Sequence, residues 1–335
     1  MRVMTDQTAP VSWGVISTAD IGLKKVIPAM QQGTLSRVDA IASRSQETAD
    51  RAAADVGIAK SYGSYDDLLA DDSIEAVYVP LPNHLHLEWT VAAARAGKHV
   101  LCEKPLAMTT AEAKEMAAAC HDAGVLLMEA FMYRLHPMWQ TVVDLVRSGA
   151  IGEVRSVETV FSYFNDDPAN IRNIPEVGGG ALYDIGCYAV NVSRMIYDAE
   201  PTVVKASILR DPVLGTDVVT SALLDFDGRP ATFVCSTQME PDQQVAIHGT
   251  EGRIVVDIPF NIPPDRPTRF HVYAGGDPPV APDVITHEIP VANPYTVQAE
   301  AFSKAVRAGA PAPIPPRDAV ANMVVIERIF SDAGN

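Results

Sequence analysis

Cysteine is scarce in this chain, and its four copies (Cys102, Cys120, Cys187 and Cys235) stand far apart. No C-x-x-C pair and no His/Cys cluster with zinc spacing occurs. Both absences argue against a disulfide scaffold and against a metal site, and for reduced, buried thiols. Positive charge is also short: 26 Lys and Arg face 42 Asp and Glu, a formal net charge of −16. An acidic chain repels phosphate backbones, so nucleic acid is a poor partner, although one local basic site for a phosphate stays compatible with it. No apolar run approaches the length of a membrane span, and the opening MRVMTDQTAP lacks the apolar core of a secretory signal. A soluble, cytoplasmic protein without a membrane partner is expected.

The chain has 335 residues, 47% of them hydrophobic, which is more than one ordinary core serves. Strand and helix patterns alternate through the first 130 residues. The strands are Val11–Ser17, Arg37–Ser43, Ala76–Pro80, His99–Cys102 and Val125–Ala130. The helices are Asp20–Gln32, Ser45–Val56, His84–Ala96 and Thr110–Ala123. Ser45 and Thr110 are the expected N-caps, and Gly97 and Gly124 the stops. Such alternation predicts a parallel sheet with helices on both faces. After a helix at His136–Ser148, a strand at Glu153–Tyr163 and a helix at Cys187–Tyr197, nearly everything from Thr202 to Val291 reads as strands. Two helices, Tyr295–Ala308 and Arg317–Ser331, close the chain. The expectation is an α/β protein with a Rossmann domain at 1–130 and a second α/β domain at 131–335. The second domain carries a large, mainly antiparallel open sheet, and its last helix is free to pack on the first domain.

Between the first strand and helix lies Gly14–Gly22. A G-x-G-x-x-G fingerprint would fall on Ser17, Ala19 and Gly22, all small, one of them glycine. Small residues there let a phosphate approach backbone N–H groups at a helix N-terminus, which makes Ser17, Thr18, Ala19, Asp20 and Ile21 candidates for cofactor contact. The second strand ends without the carboxylate that grips a ribose 2′-hydroxyl. Ser43 and Arg44 stand there instead and suit a 2′-phosphate, so NADP is favoured over NAD. Leu81, Pro82, Asn83 and His86 form a stiff wall after the next strand, and Glu103, Lys104 and Pro105 end the one after that. In the second domain, Gly178-Gly179-Gly180 permits a tight backbone approach to a ligand or to the other domain. Asp184 and Tyr188, four apart, share a helix face. With Lys104 they suit carbinol oxidation, in which a phenol or amine takes the hydroxyl proton as hydride leaves carbon. The polar loop Phe164–Val177, with Arg172, is either a substrate loop or solvated surface.

Five segments together resemble the Gfo/Idh/MocA oxidoreductases, the family of glucose–fructose oxidoreductase and inositol dehydrogenase. They are Gly14–Gly22, Leu81–His86, Glu103-Lys104-Pro105, Glu129-Ala130-Phe131-Met132-Tyr133-Arg134 and Gly178–Tyr188. Within the family the chain is most similar to the NADP-dependent D-xylose and trans-dihydrodiol dehydrogenases. The resemblance implies Lys104 as the catalytic lysine, Tyr188 as acid/base and Asp184 as orienting group. It implies that Lys104, Tyr133, Arg172, Asp184 and Tyr188 meet a carbohydrate-like substrate, and that Glu103 and Pro105 shape the nicotinamide contact. It also implies a homodimer or homotetramer through the C-terminal sheet. Two other functions are open at this point: a non-catalytic NADP-binding sensor, and an enzyme that cycles a tightly held cofactor between two sugars.

Overall fold

The computed structural model describes residues 9–277 and 281–334; the segment on which the leader reading chiefly rests lies outside them. Its strands are β1 (Val11–Ile16), β2 (Ser36–Ala42), β3 (Lys60–Tyr62), β4 (Ala76–Val79), β5 (His99–Cys102), β6 (Leu127–Glu129) and β7 (Val154–Phe164). They continue with β8 (Val203–Arg210), β9 (Asp217–Asp225), β10 (Pro230–Ser236), β11 (Gln238–Gly249), β12 (Gly252–Val256), β13 (Thr268–Asp277) and β14 (Ala281–Ile289). The α-helices are α1 (Ile27–Met30), α2 (Gln46–Val56), α3 (Tyr65–Leu69), α4 (His86–Arg95), α5 (Thr110–Asp122), α6 (Pro137–Arg147), α7 (Cys187–Tyr197), α8 (Pro294–Ala308) and α9 (Pro316–Asp332). Contacts divide the chain into two units, residues 1–132 with 294–320 and residues 133–293 with 321–335. The penultimate helix, α8, therefore counts wholly with the first unit.

The first unit holds six parallel strands in the order β3-β2-β1-β4-β5-β6. Every residue of β1 is buried, as a central parallel strand covered on both faces requires. On one face α8 packs against it: the Trp13 and Phe302 rings lie 5.5 Å apart, and Trp13 Nε1 donates to Ser303 Oγ at 3.1 Å. The helix expected at Asp20–Gln32 is widened into a π turn at Gly22–Val26 before α1. Pro28 explains this locally, because it has no N–H to give to Lys24 and its ring crowds that carbonyl. The cap of α5 is corrected from Thr110 to Thr109, whose hydroxyl accepts the Glu112 N–H at 3.1 Å. The Glu112 carboxylate in turn accepts the Met108 N–H, closing a reciprocal cap one residue earlier than read. Two short elements, β3 and α3, were not foreseen at all.

The second unit is an eight-stranded sheet ordered β14-β13-β12-β11-β7-β10-β9-β8. Only β7 and β10 pair in parallel; the other neighbours are antiparallel. Helix α7 covers the middle of one face, over β7 and β10. The opposite face holds a shallow trough whose lining includes Glu158, Val160, Lys205, Ser221, Leu223 and Gln244. Among the described residues, no helix is long and apolar enough to cross a membrane, and no cluster of His, Cys, Asp and Glu could hold a metal.

Candidate active site

In the first unit the candidate residues gather at the carboxyl ends of the strands. The order reverses between β1 and β4, which is where open α/β sheets bind ligands. Ser17, just past β1, has φ of 135°, a region L residues rarely occupy, and its hydroxyl accepts the Ala19 N–H at 3.0 Å. Asp20 is exposed and pairs with Lys24 at 2.6 Å on the outer side of the helix start. Thr18 and Ile21 are half-buried. Ser43 is buried with its N–H held by the Tyr62 carbonyl, and Arg44 beside it is exposed. Burial raises the Tyr65 hydroxyl above its ordinary pKa, against the opposing charge of nearby Arg44.

The loop that carries Lys104 is tied down at three points. Glu103 Oε1 accepts the Tyr78 hydroxyl at 2.6 Å. The Pro105 carbonyl faces His86 Nδ1 at 3.0 Å, while His86 Nε2 faces the Leu81 carbonyl at 2.8 Å. Glu129 Oε1 accepts the Leu106 N–H at 2.7 Å. His86 is completely buried, and that burial holds its pKa below the ordinary imidazole value although the carbonyls pull the other way. The neutral ring donates to one of the two carbonyls at a time. Tyr78 is likewise buried, and burial plus the Glu103 charge push its hydroxyl far above the usual range, so it stays a donor. The Lys104–Pro105 peptide is cis. Leu81 is buried, Pro82 and Asn83 are half-buried, and so are Glu103 and Lys104.

In the second unit, Asp184 lies in a π turn, Leu182–Gly186, that runs directly into α7 and Tyr188. Its Oδ2 accepts the Tyr163 hydroxyl at 2.6 Å and Arg172 Nε at 3.0 Å. The Asp184 charge raises the Arg172 pKa. Burial, then Asp184, drives the Tyr163 hydroxyl far above its usual range. Asp184 is thus a paired, hydrogen-bonded carboxylate, and Tyr163 holds its proton. The Tyr188 ring, 6% exposed, packs against Phe161 at 5.7 Å, Phe260 at 5.1 Å and Tyr133 at 5.8 Å. Phe161 and Tyr163 are two apart on β7 and so share the face turned to α7.

The sequence bears the same signature. A profile of the oxidoreductase family with an NAD-binding Rossmann fold matches residues 11–131, and one of the GFO/IDH/MocA C-terminal domain matches residues 139–255. The chain belongs to the GFO/IDH/MocA oxidoreductase family. It is 46% identical to an uncharacterized oxidoreductase of Rhizobium meliloti over 96% of this chain and 97% of the relative. It is 40% identical to an NADP(+) D-xylose 1-dehydrogenase of Haloferax volcanii over 96% of this chain and 97% of the relative. Among solved structures it resembles a 3-ketoreductase from Actinomadura kijaniata in complex with NADP and TDP-benzene. That match has a TM-score of 0.89 and 31% identity, and covers 96% of this chain and 98% of the other.

Two candidate residues of this family member take other positions than expected. Tyr133, read as substrate-binding, is fully buried, and its hydroxyl donates to Asn191 Oδ1 at 2.6 Å. Its ring backs Tyr188, so its place is behind the phenol. His86, read as a cofactor contact, is enclosed between two loop carbonyls and ties them together. The glycines also have a different use. A Cβ on Gly179 would stand 2.7 Å from the Arg172 and Ile174 carbonyl oxygens, and one on Gly180 would collide with Asp217 Oδ1. The tight approach is to the unit's own chain. Tyr163, Phe161 and Tyr78 were missed. The alternation of Phe161 and Tyr163 before a polar loop was the signal available for two of them.

Proposed function

We propose that this protein is an NADP-dependent oxidoreductase acting on a CH–OH or C=O group of a sugar or related cyclic diol. The observation that carries the reading is the Tyr163–Asp184–Arg172 network at the start of the helix that bears Tyr188. A paired carboxylate and an aromatic-walled phenol on one helix start are suited to receive and orient a carbinol. The dinucleotide fits the first unit: the left-handed turn at Ser17 opens onto a helix start, and Arg44 stands exposed after β2 with no carboxylate at that strand end. When bound, its nicotinamide accepts or supplies the hydride.

The chain's own residues do the rest. Lys104, on its braced loop, donates to the reacting oxygen and steadies the charge that develops there. Tyr188 takes the hydroxyl proton in oxidation and returns it in reduction. Asp184, held by Tyr163 and Arg172, accepts from a neighbouring hydroxyl and fixes which carbinol is presented. Glu103 and Pro105 shape the approach to the nicotinamide. Ser43 and Arg44 take the 2′-phosphate, and Leu81, Pro82 and Asn83 wall the ribose. The full-length relation to a D-xylose dehydrogenase favours aldoses within this class. Self-association through the open sheet face is part of the same reading, and sedimentation tests it.

The test is NADPH formation across aldoses, inositols and dihydrodiols, with NAD run in parallel, on the wild type, Lys104→Met and Tyr188→Phe. A good carbinol substrate with NADP and severe loss in both variants is expected. Full activity in both variants overturns the assignment. Tight NADP binding without turnover on any carbinol overturns the enzymatic reading itself.

A further inference from the structure

We propose that Asp217 is a positioning residue for this reaction, acting by bracing the glycine turn that joins Arg172 to Asp184. The proposal rests on the role given to Asp184 above. Asp217 opens β9 and is 1% exposed, an unusual place for a carboxylate. Its Oδ2 accepts the Leu182 N–H at 2.7 Å and the Thr220 hydroxyl at 2.9 Å. Leu182 begins the π turn that contains Asp184, so one oxygen of Asp217 caps the helix start that presents the candidate site.

The other oxygen faces Gly180. That residue has φ of 120°, and a side chain on it would run into Asp217 Oδ1. Gly180 is a junction. Its N–H donates to the Arg172 carbonyl at 2.8 Å, and its carbonyl accepts the Asp184 N–H at 3.0 Å. The Arg172 guanidinium closes the circuit on Asp184 Oδ2 at 3.0 Å. Backbone and side chains of residues 172, 180 and 184 therefore form a closed ring of contacts, with Asp217 seated against its middle. A shift of Asp217 moves the backbone on both sides of the Arg172–Asp184 pair at once.

Plain packing does not account for an ionisable group there. A buried carboxylate is costly, and here burial pushes the carboxyl up to about 6 despite the Leu182 amide and Thr220 hydroxyl that favour its charged form. An apolar side chain of similar size would fill the space without that cost, but it would give Leu182 no acceptor and would leave the turn free to rotate.

The test is a double-mutant cycle in the full-length protein. Asp217→Ala, Asp217→Asn and Thr220→Val are made in the wild type and in Asp184→Asn. Rates are normalised to sites that bind NADPH, so that misfolded protein does not count. In the wild-type background Asp217→Ala should lower kcat/KM by about 30-fold, the scale of a sub-ångström misplacement of a reacting group. NADPH affinity should stay within about twofold, since the first unit is untouched. Asp217→Asn keeps an acceptor for Leu182 and should recover activity to within about threefold, and Thr220→Val should cost about threefold. In the Asp184→Asn background none of these should matter further, because residues acting through one group are not additive.

Equal losses in both backgrounds would overturn the proposal and leave Asp217 a stability residue. So would an unchanged kcat/KM per NADPH-binding site in Asp217→Ala. If that variant does not fold, Thr220→Val alone decides by the same comparison. Full activity of Asp184→Asn by itself would overturn the functional reading, and this proposal with it.

Discussion

The loop under Lys104 and the ring of Tyr188 are held by different physics. Around Lys104 the restraints include directional hydrogen bonds: the Tyr78 hydroxyl to Glu103, the His86 ring to the Pro105 or Leu81 carbonyl, and the Leu106 N–H to Glu129. All come from neighbouring parallel strands or the helix between them, so the sheet itself delivers them. Around Tyr188 the restraints include three aromatic rings, Phe161, Phe260 and Tyr133, the last an enclosed phenol whose own hydroxyl is tied to Asn191. Hydrogen bonds fail singly when one partner is removed. Aromatic packing is shared among neighbours and yields by degrees. The lesson is that a lysine needs its loop fixed, whereas a phenol needs its ring fixed.

That contrast can be broken by experiment. The largest effect should come from Lys104→Met, about a 1000-fold fall in kcat/KM with NADPH binding retained, read by steady-state kinetics and fluorescence titration. Tyr188→Phe should follow at about 100-fold. The bracing residues then test the comparison itself. Tyr78→Phe removes a single hydroxyl and should cost about tenfold in kcat/KM, the size of one buried hydrogen bond. Phe161→Leu should cost less rate, about threefold, while losing about 1 kcal/mol of stability in urea titration. If Phe161→Leu slows turnover more than Tyr78→Phe does, the division drawn above is reversed. Arg44→Ala should raise the Kd for NADP about tenfold and leave that for NAD nearly unchanged. Equal losses would remove Arg44 from the 2′-phosphate.

The smallest effect lies in stability against pH. Burial raises the Asp217 carboxyl to about 6 in the folded chain, above the ordinary value near 3.8. Between pH 4 and 6 the folded state thus binds the extra proton, and the contribution of this group to stability falls as pH rises through that window. Asp39, Asp71 and Glu75 are lowered instead and contribute the opposite slope, with stability lost as pH falls below about 4. Relative to the wild type, the urea midpoint of Asp217→Asn should fall less, or rise more, between pH 4 and 6.

Much of this was legible in the chain. Strand-helix alternation foretold the parallel sheet, and the run of strands after Thr202 foretold the antiparallel one, because period and turn residues are local signals. Ser45 was read correctly as a cap from its neighbours, and Thr109 was missed by one position because two adjacent threonines look alike until one bonds Glu112. Strand β3 has three residues, too few for any periodicity. The Glu103-Lys104-Pro105 element stood out as sequence, but its braces are single side chains on other strands. Asp217 was invisible for the same reason: what makes it unusual is a glycine distant in the chain, and no spacing records that meeting.

Strand β7 offers a practical consequence for redesign. Phe161 and Tyr163 face α7 because side chains alternate, while Glu158 and Val160 line the trough on the other side. Inserting or deleting one residue in the first half of this strand would exchange the two faces and put Val160 or Ser162 where the Phe161 ring now stands. Redesign should therefore keep this strand at constant count, together with the Arg172 segment that is tied to Gly180 and Asp184.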